Sequence, residues 1–192
     1  SGVRMLVQNY ADLTLEDVKL DGTKIPGIGA YTLSINNGKV TIGSGTEIDA
    51  KEGSYAFDVC VTNYYPDGAQ ETVEDGAVVN GDIQYDVWGT IPDENKATLD
   101  VKGGTINGTF DVEKALASEA EEKLVISGGS FKDDTGNEYK VPEDKILAKE
   151  EGDTYYTLKD AVTVTFDSDG GSAVEAQKIV KGGKAEKPAD PT

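Results

Sequence analysis

The sequence LDVKGGTING, residues 99–108, contains the pattern from which the fold is predicted. Apolar Leu99 and Val101 alternate with polar residues before a glycine turn, and Ile106 follows the turn. This order is typical of two short strands joined by a tight corner. Four other segments have the same form, at residues 13–22, 40–48, 72–81 and 124–131. Self-similarity of this kind indicates a repeat architecture.

The equivalent turn positions in these five segments are spaced by 27, 31, 28 and 25 residues. They are Val18, Gly45, Gly76, Gly104 and Gly129. A period that drifts in the high twenties is typical of a parallel β-helix, in which each coil keeps its strands and varies its loops. One coil cannot bury its inward face alone, so the inward Val, Ile and Leu side chains are expected to stack from coil to coil. We therefore predict an all-β chain with a short right-handed parallel β-helix over residues 1–158.

Short strands between these segments are expected to form the other walls of the coils, at residues 31–35, 55–61 and 82–88. Residues 111–123 are rich in Ala, Leu, Glu and Lys, which predicts a short helical excursion between two coils. The competing fold is a pair of β-sandwiches in tandem, since regularly spaced short strands fit that class too. Sandwiches predict hairpins and no long-range period.

Composition excludes several classes of function. The chain has 18 basic and 36 acidic residues, a net charge of −18. This charge disfavours nucleic acid and anionic membranes as partners, because phosphate attraction dominates those affinities. Histidine is absent, so the chain lacks the residue that serves most often as a general acid or base and as a metal ligand. No apolar run is long enough for a membrane span, and we expect no membrane insertion in this segment.

Reactive and catalytic sites are not expected. Cys60 is the only cysteine, which excludes an intrachain disulfide, and its apolar surroundings predict a buried structural thiol. The acidic pairs Asp133-Asp134, Glu16-Asp17 and Glu74-Asp75 are typical of a solvated face in so acidic a chain. Residues 167–178 fail the EF-hand pattern, whose sixth and twelfth positions are here Ser172 and Lys178. We predict no catalytic residues, no metal site and no cofactor.

The repeat pattern of the sequence ends near Ala161, and a different motif follows. The order TFDSDGG, residues 165–171, followed by KPADPT, residues 187–192, closely resembles the opening half of the Listeria–Bacteroides repeat, also called the internalin B-repeat. The resemblance implies a β-grasp-like module over residues 159–192, truncated at its C-terminus, because the second half of the family pattern does not follow. Gly182 stands where the family commonly has an aromatic residue. Such modules are strung along bacterial surface and secreted proteins.

A weaker resemblance is carried by VISGGSF, residues 125–131, which is similar to β-helix repeats of bacterial surface proteins. Both resemblances imply an extracellular or cell-surface location and a structural or adhesive role, and the residue composition predicts that this role is non-enzymatic. We interpret the chain as a piece of a longer protein. The partners implied are a host or cell-wall glycan or a surface protein.

Two other functions stay open. The first is a carbohydrate-binding module, with Tyr64, Tyr65 and Trp88 as the candidate ligand-binding residues, because two tyrosines beside the turn at residues 66–68 offer a platform for a sugar. Alternatively, the two tyrosines have only a structural role, in which one packs over a coil and the other covers the loop. The second is a degenerate polysaccharide lyase or hydrolase, which needs paired carboxylates in a groove.

Overall fold

The computed structural model describes residues 4–134 and 139–189, and its dominant element is the parallel β-strand. Fifteen strands form five successive coils of three strands each. Coil 1 contains β1 (Met5–Asn9), β2 (Leu13–Leu15) and β3 (Lys19–Asp21), and coil 2 contains β4 (Tyr31–Ile35), β5 (Gly38–Ile42) and β6 (Glu47–Asp49). Coil 3 contains β7 (Tyr55–Thr62), β8 (Ala69–Val73) and β9 (Val78–Asn80), and coil 4 contains β10 (Asp82–Trp88), β11 (Thr98–Val101) and β12 (Thr105–Ile106). Coil 5 contains β13 (Phe110–Val112), β14 (Leu124–Ile126) and β15 (Ser130–Phe131).

Equivalent strands of successive coils pair in parallel and form three walls. Sheet A consists of β1, β4, β7, β10 and β13; sheet B of β2, β5, β8, β11 and β14; and sheet C begins with β3, β6, β9, β12 and β15. Each strand therefore pairs with the strand one coil away, not with its neighbour in sequence. This arrangement confirms the predicted β-helix, since tandem sandwiches would have required hairpins.

Side chains of the same wall stack inside the solenoid from coil to coil. In sheet A the register aligns Leu33 with Phe57 and Phe57 with Ile83. The corresponding columns are Ile42, Val73, Val101 and Ile126 in sheet B and Ile48, Val79, Ile106 and Phe131 in sheet C. All of these side chains are at most 1% exposed, and their removal from water supplies the main driving force for folding.

The predicted turn column joins sheets B and C. Each of its five members lies three residues after an inward side chain of sheet B, as Gly104 follows Val101. The glycines at this position have positive φ angles: 72° at Gly45, 81° at Gly76, 80° at Gly104 and 89° at Gly129. In coil 1 the left-handed residue is Asp17, with φ 48°, and not Val18, because a β-branched residue resists that conformation. The left-handed residue of the first coil therefore lies one position before Val18, the residue that the spacing selects.

The helical excursion interrupts coil 5 between sheets A and B. A 3₁₀ turn over Lys114–Leu116 leads into α1 (Ala117–Lys123), and Leu116 and Ala120 bury their side chains against the solenoid core. Asp111 and Val112 still belong to β13, so the excursion begins later than the composition indicated. Among the described residues, no helix has the length and hydropathy needed to cross a membrane.

Antiparallel strands cover the last coil. They are β16 (Lys145–Ala148), β17 (Tyr156–Val164) and β18 (Gln177–Val180). The first part of β17 pairs with β15 and β16, which extends sheet C, while residues 161–164 pair with β18. The predicted boundary between residues 158 and 159 therefore lies within β17, and this strand runs from the solenoid into the segment that resembles the B-repeat. Tyr156 and Leu158 pack against the solenoid core.

Candidate functional site

The outer face of sheet A carries rows of polar side chains. Strand alternation directs Leu33, Phe57 and Ile83 inward, so the residues that follow them face outward. The register aligns Ser34 with Asp58 and Asp58 with Gln84. The next outward residues along the same strands are Asn36, Cys60 and Asp86. Ser34, Asn36, Asp58 and Cys60 are at most 4% exposed, although they lie outside the hydrophobic core.

A tyrosine crosses this face and explains part of the burial. Tyr31 lies on β4, and its hydroxyl donates to Gln84 Oε1 and Asp86 Oδ2 on β10, the second of these over 3.3 Å. Its ring therefore crosses β7, which separates those two strands. Tyr55 extends in the same direction, stacks on Tyr31 with ring centroids 5.5 Å apart, and donates to Asp111 Oδ2. The two rings form a cover over the first outward row.

Beside this cover lies a cavity of about 370 Å³, which we call the sheet A groove. Its lining comes from coils 1 to 4 and includes Arg4, Gln8, Asn36, Asp86 and Trp88. The volume falls within the range of small-molecule binding pockets, about 300–1,000 Å³. The lining combines one guanidinium, two amides and carboxylates with an aromatic ring. Such a mixture provides both hydrogen-bond donors and acceptors to a ligand.

Asp58 is held firmly by its own strand neighbours. Its Oδ2 accepts a hydrogen bond from Ser34 Oγ over 3.0 Å, and its Oδ1 accepts one from the backbone N–H of Ile35. Burial raises the pKa of Asp58 well above its usual value, and the nearby charge of Asp86 raises it further. Both oxygens are occupied and the side chain is 3% exposed, so Asp58 serves to join β4 to β7.

Asp86 differs from Asp58 because its Oδ1 accepts no hydrogen bond from a described nitrogen or oxygen, although the Cys60 thiol lies close enough to the carboxyl to lower its pKa. Within the described residues, Asp86 Oδ1 is buried and has no hydrogen-bond partner. Burial raises the pKa of Asp86 to about 6, with a further contribution from the charge of Glu113. Asp86 also lines the sheet A groove. A buried acceptor without a partner carries a desolvation cost of about 1–3 kcal/mol, which a ligand donor would relieve.

Cys60 lies beside Asp86 and is 3% exposed. Burial raises the pKa of its thiol, and the charges of Asp86 and Asp58 act in the same direction. Because the thiolate is the reactive form, these surroundings make Cys60 inert. The interpretation of a buried structural thiol agrees with this position.

The three residues predicted from the sequence fall into two aromatic pairs. Tyr64 and Trp88 contact each other with ring centroids 4.8 Å apart and planes tilted by 50°. They are 60% and 51% exposed, and we call this pair the aromatic corner. Tyr65 turns away and packs on Tyr10 instead, with centroids 5.1 Å apart. Tyr64 lies in a bend after β7, and the two tyrosines pack on different aromatic partners, so they do not form one platform.

The aromatic corner adjoins the sheet A groove directly. Trp88 both lines the groove and contacts Tyr64, and Asp86 precedes Trp88 by two residues on the same outward face of β10. Tyr65 instead lines a second cavity of about 240 Å³ between sheets A and B. The groove and its aromatic end thus join Asp86, Trp88 and Tyr64 into one continuous surface.

Sequence reasoning missed Arg4, Asn36 and Asp86 as lining residues. The available signal was a polar residue at the same register of several predicted strands, inside otherwise apolar runs such as residues 55–61. The acidic pairs singled out in the sequence instead lie in exposed turns: Glu16-Asp17, Glu74-Asp75 and Asp133-Asp134. Over residues 4–134 and 139–189, no group of three acidic or cysteine side chains is placed to hold a metal ion.

Comparison with known proteins gives no match: no family model, no curated protein and no solved structure is similar to this chain. The resemblance to the B-repeat stays a prediction from the sequence.

Proposed function

We propose that this chain is a non-enzymatic adhesive module of a bacterial surface or secreted protein, and that it binds a glycan in the sheet A groove. The proposal unites the structural or adhesive role implied by the sequence resemblances with the carbohydrate-binding alternative. It places the protein outside the cell, with a host or cell-wall glycan as its partner. The fold supports the proposal by providing a rigid wall on which four coils contribute side chains to one surface.

The observation that carries the proposal is the aromatic corner at the end of the groove. Two large rings, Tyr64 and Trp88, are both more than half exposed and are fixed against each other. Exposed aromatic rings beside polar groups are typical of recognition sites, because a ring offers a large contact area at a small cost in conformational entropy. The apolar face of a sugar ring fits such a surface, while its hydroxyls match the donors and acceptors of the groove.

Replacing either ring of the aromatic corner is expected to weaken glycan binding by about tenfold or more, as is common for buried aromatic anchors. The measurement compares the wild-type protein with Trp88→Ala and Tyr64→Ala on an array of neutral, acidic and amino glycans. Ile28→Ala is the matched control, because Ile28 is 75% exposed and precedes β4, at the opposite end of the sheet A strands. Equal binding by all four proteins, or no binding to any glycan, would contradict the proposal.

The two groove carboxylates with raised pKa values, Asp58 and Asp86, bear on the enzyme alternative. Glycosidases need two carboxyl groups that both reach the scissile bond. Asp58 does not meet this requirement, since Ser34 and Ile35 occupy both of its oxygens. Only Asp86 then remains free to contact a ligand, which supports the proposal of binding without cleavage.

Incubation with neutral and acidic polysaccharides is therefore expected to release no reducing ends and no unsaturated products. A reducing-sugar assay and absorbance at the wavelength of unsaturated uronates make the measurement. Asp86→Asn serves as the blank for any trace activity. Release of either product by the wild-type protein and not by Asp86→Asn would establish catalysis and overturn the non-enzymatic proposal.

A further inference from the structure

The sheet A groove presents charges of both signs without pairing them. Arg4 lines the groove and is exposed, and no carboxylate among the described residues lies within ion-pair distance of its guanidinium. Asp86 lines the same groove with its buried Oδ1 unpartnered. A ligand that satisfies both groups must offer a donor to the carboxylate and an acceptor to the guanidinium. A hydroxyl group does both.

The charges that surround Asp86 restrict the ligand further. Asp58 lies one strand away and Glu113 acts on Asp86 from coil 5. The charges of Asp86 and Glu113, together with the net charge of −18, repel a uronic acid. A free amine is attracted by the same carboxylates, but in this cavity it would also lie beside the Arg4 guanidinium, which repels it. A ligand without charge meets neither repulsion and can use the donors and acceptors of both groups.

The apolar part of the groove also fits an uncharged sugar ring. Val87 and Trp88 line it, and Trp88 continues the surface to Tyr64. A ring with an apolar face and hydroxyls at its edge contacts the tryptophan and the polar groups together. We infer that the groove binds a neutral sugar, with one hydroxyl donating to the Asp86 carboxylate and another accepting from Arg4. This inference rests on the proposed function and names the class of its ligand.

The test uses the intrinsic fluorescence of Trp88, the only tryptophan of the chain. The full chain is titrated with β-1,4-linked trimers of glucose, N-acetylglucosamine, glucosamine and glucuronic acid. The glucose or the N-acetylglucosamine trimer is expected to change the emission at concentrations at least tenfold lower than the charged trimers. The same neutral trimer is expected to protect Trp88 from quenching by iodide, because it covers the exposed ring.

Asp86→Leu is expected to weaken binding of the neutral trimer by about tenfold or more, since it removes the acceptor while keeping the branched shape of the side chain. Asp86→Asn keeps an acceptor oxygen and is expected to restore part of the affinity. The control is Asp133→Leu, which removes one exposed aspartate outside the groove and should bind like the wild-type protein. A thermal melt of each variant shows whether it is folded. The iodide-quenching measurement uses only the wild-type protein and therefore does not depend on the folding of the variants.

The outcomes separate this inference from the proposed function. Preference for a charged trimer, or unchanged affinity in a folded Asp86→Leu variant, would overturn the inference and leave glycan binding intact. No response to any of the four trimers would also overturn it, and the glycan array would then decide the proposed function on its own.

Discussion

Replacement of Glu71 by leucine is expected to raise the free energy of unfolding by about 1–4 kcal/mol at neutral pH, by analogy with the range found when buried ion pairs are exchanged for apolar residues. Glu71 occupies an inward position of β8, where the register aligns it with Val40 and Leu99. It is 2% exposed, and neither carboxyl oxygen has a hydrogen-bond partner within the described part of the chain. A leucine restores the apolar column that this carboxyl group interrupts.

The effect of Glu71 depends on pH in a defined direction. Burial raises its pKa well above the ordinary value of 4.5. Between these two values the folded protein keeps a proton that the unfolded chain releases, so stability falls as pH rises, by about 1.4 kcal/mol per unit for each such group. Asp58 and Asp86 act in the same direction, Asp86 through its pKa of about 6. The wild-type protein is therefore expected to lose stability as pH rises above about 4.5, the ordinary pKa of a glutamate.

Urea unfolding followed by circular dichroism between pH 4.5 and 8 measures both effects. Glu71→Leu should be more stable than the wild-type protein and should lose less stability over this range. Glu74→Leu is the control, because Glu74 lies three residues further along in an exposed turn. A destabilised Glu71→Leu variant, or one with the same pH slope as the wild-type protein, would show that Glu71 has a partner in the core.

Substitution of Gly104 by alanine is expected to destabilise the protein by about 2–5 kcal/mol. Its φ angle of 80° costs an L-residue about 1–2 kcal/mol. In addition, a Cβ atom would lie 2.8 Å from the carbonyl oxygen of Ala77 and 3.0 Å from that of Glu74 in the coil below. Backbone atoms of a stacked coil cannot move aside individually, so this overpacking adds about 1–3 kcal/mol.

Comparison with Gly152→Ala separates the clash with the stacked coil from the conformational cost of a positive φ angle. Gly152 has a φ angle of 91°, but no atom of the described residues lies within 4 Å of a Cβ built at this position. It is therefore expected to lose only the conformational part, about 1–2 kcal/mol. Thermal and urea unfolding of both variants give the difference. Equal losses in the two proteins would contradict the close stacking of coils 3 and 4 at the turn column.

The repeat architecture was predictable because each coil must solve the same physical problem. An inward apolar side chain of sheet B is followed three residues later by a tight turn, and this pairing is visible in the sequence at Val73 and Gly76 as well as at Val101 and Gly104. The failure at Val18 has a local cause. The turn of coil 1 contains no glycine, and alignment on spacing alone cannot decide which residue adopts the left-handed conformation.

The candidate site was less predictable, since it depends on how neighbouring coils align. Tyr64 and Trp88 were named from the sequence, yet their contact arises only when β7 and β10 pair, and this pairing includes a register shift between Asp82 and Ile83. The hydrogen bond from Tyr31 across β7 to Asp86 joins two strands that are not neighbours, so the residue pattern of one strand cannot predict it. Glu71 was missed because an acidic residue between polar neighbours gives no sign that it faces inward.

The most direct test of glycan binding in the sheet A groove is a crystal structure of the protein with the best-binding neutral trimer. The proposal predicts a sugar ring against Trp88 and Tyr64, with a hydroxyl within hydrogen-bond distance of the Asp86 carboxylate. A trimer bound in the cavity beside Tyr65, or on another wall of the solenoid with the groove empty, would contradict it.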